Sequence, residues 1–527
     1  MRGPPAQSLR GGAKPPPSQE AVTDTFSMPA PYGGWNARGN LANMAQTDAI
    51  VMDNFYPSVQ TVQLRPGCAD WKTGFASNIQ SLMAWQGTTA TKIFASTSAG
   101  IFDATTSGVV GAAVATCTNG QWESVNFATA GGSFLVLANG VDNIKEYDGT
   151  TWVTITGVSV PAITGVATTS LIFVAPHKTR LWFVEKDSMN LWYLPVDSIG
   201  GAAVVFPVGS RFPKGGKVVA VGTWSYDGGA GPDDLFVIIT SKGEIAVYQG
   251  SDPASSTTWA LVGIFRVGVP IGRKPFIKYG GDLLVLSENG LVPMSRILAT
   301  PIVDQSAASS YKIDGALLES TTLYAANFGW QTTIFPLANL LLINIPITAN
   351  SISYQYVMNT ITRAWARFLG WNATAFLTVG SELYFAGGTK TSKAWTGTSD
   401  AGVPITGRVA QAYTSIGSNG QKEIVLVRPS VSSNGANNAC LALDADFKAF
   451  LGETQVPLGT TPSGSVWGTA LWGTGIWGAG LAPFESKWVT VPGNLGYLHS
   501  FRLQLTTSTA SFSWTATNFA FRRAGIL

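Results

Sequence analysis

Charge is what this chain has least of. Of 527 residues, 33 are Lys or Arg and 30 are Asp or Glu, so charged side chains make up 12%, about half of the ~25% usual in soluble domains. The net charge of +3 gives no support to a protein that grips nucleic acid by neutralising phosphates. Histidine is nearly absent. His177 and His499 are the only two, and each lies in a β-rich run where a satisfied structural histidine is expected. Cys68, Cys117 and Cys440 are odd in number and widely spaced, which excludes a disulfide framework or zinc spacing and predicts three buried apolar thiols. The longest apolar stretch, Leu337 to Ile347, is broken by Asn and Pro and falls far short of the ~20 residues that span a bilayer. Behind Arg2, Arg10 and Lys14 there is no apolar run, so no signal peptide is expected. These absences predict a soluble chain made in a reducing compartment.

What is present is one formula, repeated. In Leu235 to Gly250 an apolar run stops at Ser241-Lys242-Gly243 and resumes with Ile245 and Val247, which reads as a tight hairpin. Relatives of it run from Ile93-Phe94 to Ile101-Phe102, from Phe134–Leu137 to Ile144–Tyr147, and from Leu181–Val184 to Leu191–Tyr193. Others run from Leu283–Leu286 to Leu291–Met294, from Leu340–Ile343 to Tyr354–Val357, and from Leu383–Ala386 to Ala394-Trp395. The spacing of roughly 40–55 residues between most of them fits four-stranded propeller blades. A hairpin this short cannot bury its own face, which is the reason to stack it around a ring. A stack of β-sandwiches also gives short strands at regular spacing, but it rarely repeats one hairpin so often. The fold class read from the sequence is all-β: a β-propeller of six to eight blades, with further β-rich N-terminal and C-terminal segments, which the resemblance described below implies form a platform.

Residues 1–30 are rich in Pro, Gly, Gln and Ser and read either as a disordered tail or as an arm that orders on a neighbouring subunit. Residues 31–75 form an N-terminal platform segment, with Asp48 to Phe55 as a short helix capped by Thr47, a strand from Val59 to Leu64, and a turn at Arg65-Pro66-Gly67. Residues 76–400 are the propeller, with Pro301 to Thr321 as a long connection between blades. Residues 401–527 are a C-terminal β-rich module. In it Trp467, Trp472 and Trp477 recur every five residues, a period of neither strand nor helix, with Trp488 shortly after. They read as core lining or as an inter-subunit contact.

Asn36-Ala37-Arg38 after Trp35, then Asp48, Asp53-Asn54 and Arg65-Pro66-Gly67, resemble the N-terminal signature of tail proteins from short-tailed bacteriophages and their prophages. Tyr354 to Thr360, with Met358-Asn359, followed by Ala364-Trp365, resembles a signature strand pair of the same proteins. The ending from Trp514 to Leu527 resembles their usual C-terminus. The resemblance implies a structural virion protein of the short tail, a tail tube or nozzle, with a β-propeller outside and a β-rich platform around a DNA channel. It implies a homo-oligomer, a hexamer, below the head-to-tail adaptor, assembled in the host cytoplasm. The hexamer would act as conduit and gate for genome ejection, dock a tail fibre or tailspike, and touch double-stranded DNA only transiently. No residue is assigned to the channel lining.

The competing class is a carbohydrate-binding or glycoside-cleaving propeller acting on the host surface. Its carboxylate candidates are Asp233-Asp234, which would point to opposite faces of a strand, and Asp444 with Asp446, which would share one. Asp148 to Trp152 and Ser251-Asp252 to Trp259 are imperfect echoes of the Asp-box turns of sialidase propellers. No Gly-x-Ser-x-Gly elbow accompanies either histidine. The expectation is no enzyme, with no catalytic, cofactor-binding or metal-binding residue. The basic spots, Lys214 to Lys217, Arg273-Lys274 and Arg522-Arg523, are small and read as solvated turns.

Overall fold

All seven hairpin formulas fold, each as the second and third strands of an antiparallel blade. The structure, a computed structural model, describes residues 23–227, 232–299, 308–435, 437–448, 453–458, 482–485, 488–491 and 495–524. Blade one is Ser81–Gln86, Thr91–Thr97 and Gly100–Asp103. Blade two is Glu123–Thr129, Gly132–Ala138, Ile144–Tyr147 and Trp152–Ile155. Blade three is Leu171–His177, Arg180–Glu185, Asn190–Tyr193 and Val204–Pro207. Blade four is Val218–Asp227, Pro232–Thr240, Glu244–Gly250 and Trp259–Arg266. Blade five has three strands, Phe276–Tyr279, Asp282–Ser287 and Gly290–Pro293. Blade six is Gln331–Phe335, Leu340–Thr348, Ile352–Asn359 and Trp365–Phe368. Blade seven takes Ala375–Val379, Glu382–Gly387 and Lys390–Ala394 from one end of the propeller sequence. Its outer strand, Cys68–Thr73, comes from the N-terminal side and pairs antiparallel with Lys390–Ala394. This strand belongs to the propeller and not to the N-terminal segment of residues 31–75.

The sheets close into a ring. The first strand of each blade lies beside the first strand of the next, and that of blade seven returns to that of blade one. The fold is therefore a seven-bladed β-propeller. Its core is a set of layers between blades, not one central mass. Phe75, Leu82 and Ile93 pack with Tyr384 between blades seven and one, and Trp182, Phe236 and Trp259 fill the gap between blades three and four. A blade of three or four strands is thus buried on both faces, which is why its middle strands read as unbroken apolar runs. Trp122, Trp182 and Trp224 are fully buried, each contributing on the order of 2–3 kcal/mol of transfer free energy. At the hairpin of blade four, Gly243 has φ of 72° and a Cβ there would strike the Val267 carbonyl, so both the turn and the chain beside it require glycine.

The platform is a two-layer sandwich. In one layer Lys422–Ser433 pairs along Phe512–Arg523, whose other side takes Thr23–Pro29 and Val62–Leu64. Part of the presumed N-terminal arm is therefore a strand of this sheet. In the other layer Val403–Gln411, His499–Thr507, Asn437–Ala445 and Thr454–Leu458 run side by side. Phe501 of this layer meets Trp514 and Phe519 of the first at ring distances of 5.6 and 6.0 Å. Phe501, Leu503 and Leu505 alternate with half-buried Arg502 and Gln504 and form the inward face of that strand.

Two local readings are corrected. Asp48–Asp53 is a strand, not a helix capped by Thr47. It is held by parallel pairing with Gly34–Trp35 and antiparallel pairing with Val403–Gln411, so long-range pairing overrides a local capping signal. The presumed plain connection before Thr321 holds a helix, Asp314–Tyr324, anchored to blade six by Ser320 Oγ and the Tyr356 hydroxyl at 2.9 Å. Trp467, Trp472 and Trp477 lie outside the described residues.

Candidate functional site: the seam between propeller and platform

The sheet of blade six does not end at its outer strand. Asp48–Asp53 meets Trp365–Phe368 in parallel at Asp53 and Arg367, and pairs on its other side with Val403–Gln411 of the platform. Trp35, Asn36, Asp48, Asp53, Asn54, Arg65, Pro66 and Gly67 of the N-terminal stretch lie along this join, with Asn359 and Trp365 of blade six beside it.

Arg65 is its centre. It is 1% exposed, and every guanidinium donor has an acceptor. Nε donates to Asn54 Oδ1 at 2.9 Å, Nη1 to Pro66 O at 3.0 Å and Asp400 Oδ1 at 2.8 Å, and Nη2 to Leu369 O at 2.7 Å and Asp400 Oδ2 at 2.6 Å. The cation also lies 4.7 Å from the centre of the Trp371 ring, and Trp371 Nε1 donates to Asp400 at 3.1 Å. A fully forked arginine of this kind repays its burial because no charge or donor is left unmatched. Asn54 holds a left-handed φ of 56°, a conformation Asn tolerates better than most residues. From there its Oδ1 also accepts the Leu369 N–H at 2.8 Å and its Nδ2 donates to Thr406 O. Gly67 is required next door, since a Cβ would run into the Ser399 backbone.

Asp53 makes a second forked pair, accepting Arg367 Nε at 2.7 Å and Nη2 at 3.0 Å. Burial alone would lower the Arg367 pKa, but hydrogen bonding and charge from Asp53 outweigh it and hold it above its usual value. Trp35 packs edge-on to Tyr356 at 5.0 Å and under Arg367. Asn36 Nδ2 donates to Asp48, whose other oxygen takes Lys312 Nζ at 2.8 Å. Arg38 sits further out, 3.7 Å over the exposed Tyr311 ring. On blade six, Asn359 Nδ2 donates to the Tyr56 hydroxyl and Pro57 O, each at 3.0 Å. Burial pushes the Tyr56 phenol up to about 12. Met358 and Trp365 are fully buried, and the Trp365 indole donates to Ser309 O. Arg367, Asp400 and Lys312 are the partners that sequence reasoning missed. Nothing local marks them, since Asp53 and Arg367 are 314 positions apart. A cavity of about 810 Å³ opens beside the seam, lined by Asn54, Asp400, Lys390 and Arg408 among others.

The other candidates lie apart from the seam. His177 is buried against Phe236 and Trp259 with Nδ1 3.0 Å from Thr223 Oγ1, and burial pulls it down to about 4. His499 is buried in the platform, its backbone bridged to Thr414. Asp444 is paired with Arg502 at 3.0 Å, and Asp446 caps the N–H groups of Tyr497 and Leu498. Asp234 accepts Ser225 Oγ at 2.6 Å. Asp148 takes the N–H groups of Thr150 and Thr151, a turn lock, and Asp252 pairs with Arg180. Cys68 is buried, but Cys117 and Cys440 are only partly so, against the expectation of three buried thiols. Burial, aided by Asp400, pushes the Cys68 thiol up to about 12. Lys217 and Arg523 form exposed ion pairs with Asp187 and Asp24. Arg273 and Lys274 are half-buried across the mouth of the propeller, not on a solvated turn. Among the described residues no cluster of metal-ligating side chains occurs, and no helix is long and apolar enough to cross a membrane.

No family model and no curated protein matches the sequence. Solved structures with a similar chain path include the Cps50 (Swd1) β-propeller domain of Myceliophteria thermophila, at 11% identity over 62% of this chain and 99% of that one, with a TM-score of 0.40. BBS1N in complex with ARL6DN gives 11% identity, 63% and 97% coverage and a TM-score of 0.38. Sqt1 of Saccharomyces cerevisiae gives 9%, 66% and 96%, and 0.36. The seven-bladed ring described above rests on its own strand pairing.

Proposed function

We propose that this chain is a structural subunit of a short phage tail: a hexameric nozzle below the head-to-tail adaptor, without enzymatic activity. The observation that carries the reading is the seam. Residues of the N-terminal and middle stretches that resemble phage tail proteins share one role, joining the propeller to a β-sandwich platform as a single stiff body. A tube wall that must hold a pressurised genome and dock a fibre or spike needs that stiffness more than it needs a reactive site. Low charge suits a wall past which DNA slides, because each neutralised phosphate would slow ejection.

Edge strands support assembly. Val204–Pro207 and Trp259–Arg266 are the outer strands of blades three and four, and among the described residues neither has a further strand beside it. Val204, Val205, Val262 and Ile264 on them are exposed. Open apolar edges are a liability that subunit contact removes. The carboxylates that a glycosidase would need are spent on Arg502, on Ser225 and on backbone N–H groups.

Mass measurement by light scattering, joined to electron microscopy of the parent particle, tests this. The expected result is a sixfold ring seated under the adaptor. A stable monomer that cleaves or retains host glycans overturns the proposal.

A further inference from the structure

The seven inner strands all start at one end of the ring, and that end is not an open hole. The connection from blade four to blade five crosses it. Ile271 N donates to Leu286 O, Glu288 N to Val269 O, and Lys274 bridges to Gln331 of blade six. Gly272 has φ of 72° and presses against Trp330, so the crossing segment is pinned on both sides. At its tip Arg273 Nη1 donates to Gln121 O at 3.2 Å, and Lys274 Nζ pairs with Glu123 Oε2 at 3.2 Å. Both reach from blade five to blade two. The crossing divides the mouth into cavities of about 330 and 420 Å³ that share Gly272 and Arg273 as their wall.

The larger one has a built chemistry. Lys186, Lys217 and Arg273 line it against one acid, Asp187, for a local charge of +2 (three cations less one carboxylate). Lys217 is paired with Asp187 at 2.6 Å, and among the described residues Lys186 has only the carbonyl of Gly140 at 3.3 Å. Arg273 spends one donor on Gln121 and stands 6.0 Å from the Phe328 ring. Its Nε and Nη2 have no hydrogen-bond partner among the described residues. Ile172, Phe173, Val218 and Val219 give the opposite wall an apolar surface. In a chain with so few charges, three cations around one concave space are a departure from its own composition.

We propose that the axial mouth of the propeller binds a small organic anion, its phosphate or carboxylate held by Arg273, Lys186 and Lys217 and its body against the apolar wall. A guanidinium with free forked donors suits an oxyanion. Both volumes fall within or near the ~300–1,000 Å³ range of small-ligand sites. The pinned crossing means little ordering is needed on binding. This inference stands whether or not the chain is a tail subunit.

Glucose 6-phosphate, glucuronate, inorganic phosphate and glucose, each titrated at low salt by calorimetry and thermal shift, test it. The two organic anions are expected to bind and to raise the melting temperature, with inorganic phosphate at least tenfold weaker and glucose silent. Arg273→Gln is expected to weaken glucose 6-phosphate at least tenfold, and Lys186→Gln, at an exposed position, by a few-fold with an unchanged melting curve. Should Arg273→Gln fail to fold, the Lys186→Gln, Lys217→Gln double variant replaces it, with the same tenfold loss expected. No binding of either organic anion, equal binding of glucose, equal binding of inorganic phosphate, or affinities unmoved by these variants overturns the proposal.

Discussion

At the scale of single residues, two buried ionisable groups contribute opposing pH dependences to stability. Glu146 is 2% exposed, and among the described residues one of its oxygens has no hydrogen-bond partner. Burial, with help from Asp148, lifts its pKa from 4.5 to about 7. The native state therefore holds a proton that the unfolded chain has lost between those values, and stability falls as pH rises through that window. His177 has the opposite sense. Its folded pKa of about 4 lies below the ordinary 6.5, so its contribution is full above 6.5 and is lost as pH falls towards 4. Between about 4.5 and 6.5 the two offset each other. Glu146→Gln should be near neutral at pH 4.5 and stabilising by up to about 3 kcal/mol by pH 8, read from urea midpoints across the range. A difference that does not vary with pH means that Glu146 is not charged at a cost in the native state.

At the scale of elements, the propeller was legible and its closure was not. Every hairpin was visible because its apolar runs are local and its turn residues sit between them. What shuts the ring is pairing between Cys68–Thr73 and Lys390–Ala394, more than three hundred residues apart, and no periodicity in the chain encodes that. The seam was half legible. The resemblance found Asp53, Asn54 and Arg65 but not Arg367 or Asp400, because an ion pair across such distance leaves no spacing to read. The helix Asp314–Tyr324 escaped because Leu317 faces inward while Leu318 and Leu323 face solvent, which erases the one-sided stripe by which helices are recognised. The closing strand also makes a prediction. It is flanked on both sides, by Lys390–Ala394 and by Gly108–Val109 with Ser399–Asp400, so a proline in it removes a ladder donor. Ala69→Pro should lower stability by roughly 1–3 kcal/mol and strip hydrogen-exchange protection from residues 390–394. A variant that keeps both would mean that the strand is not what closes blade seven.

At the scale of the whole molecule, the question is whether propeller and platform are two bodies or one. Continuity of the blade-six sheet through Asp48–Asp53 into Val403–Gln411 argues for one, and the Arg65 and Asp53 pairs lie on that path. Domains joined by a linker unfold separately, whereas a shared sheet makes the loss of either half expose the other. The wild-type chain should therefore melt in a single calorimetric transition. Arg65→Ala leaves Asp400 and Asn54 facing an emptied site, and removing one partner of a buried pair costs about 3–5 kcal/mol. That cost falls on the join, not on the inter-blade layers around Trp182 or Trp224, so the damage should be selective. The expected result is a split endotherm, with the platform melting first and the propeller near its original temperature. A wild-type chain that already shows two transitions, or a variant whose single peak merely shifts, would mean that the join does not couple the two parts.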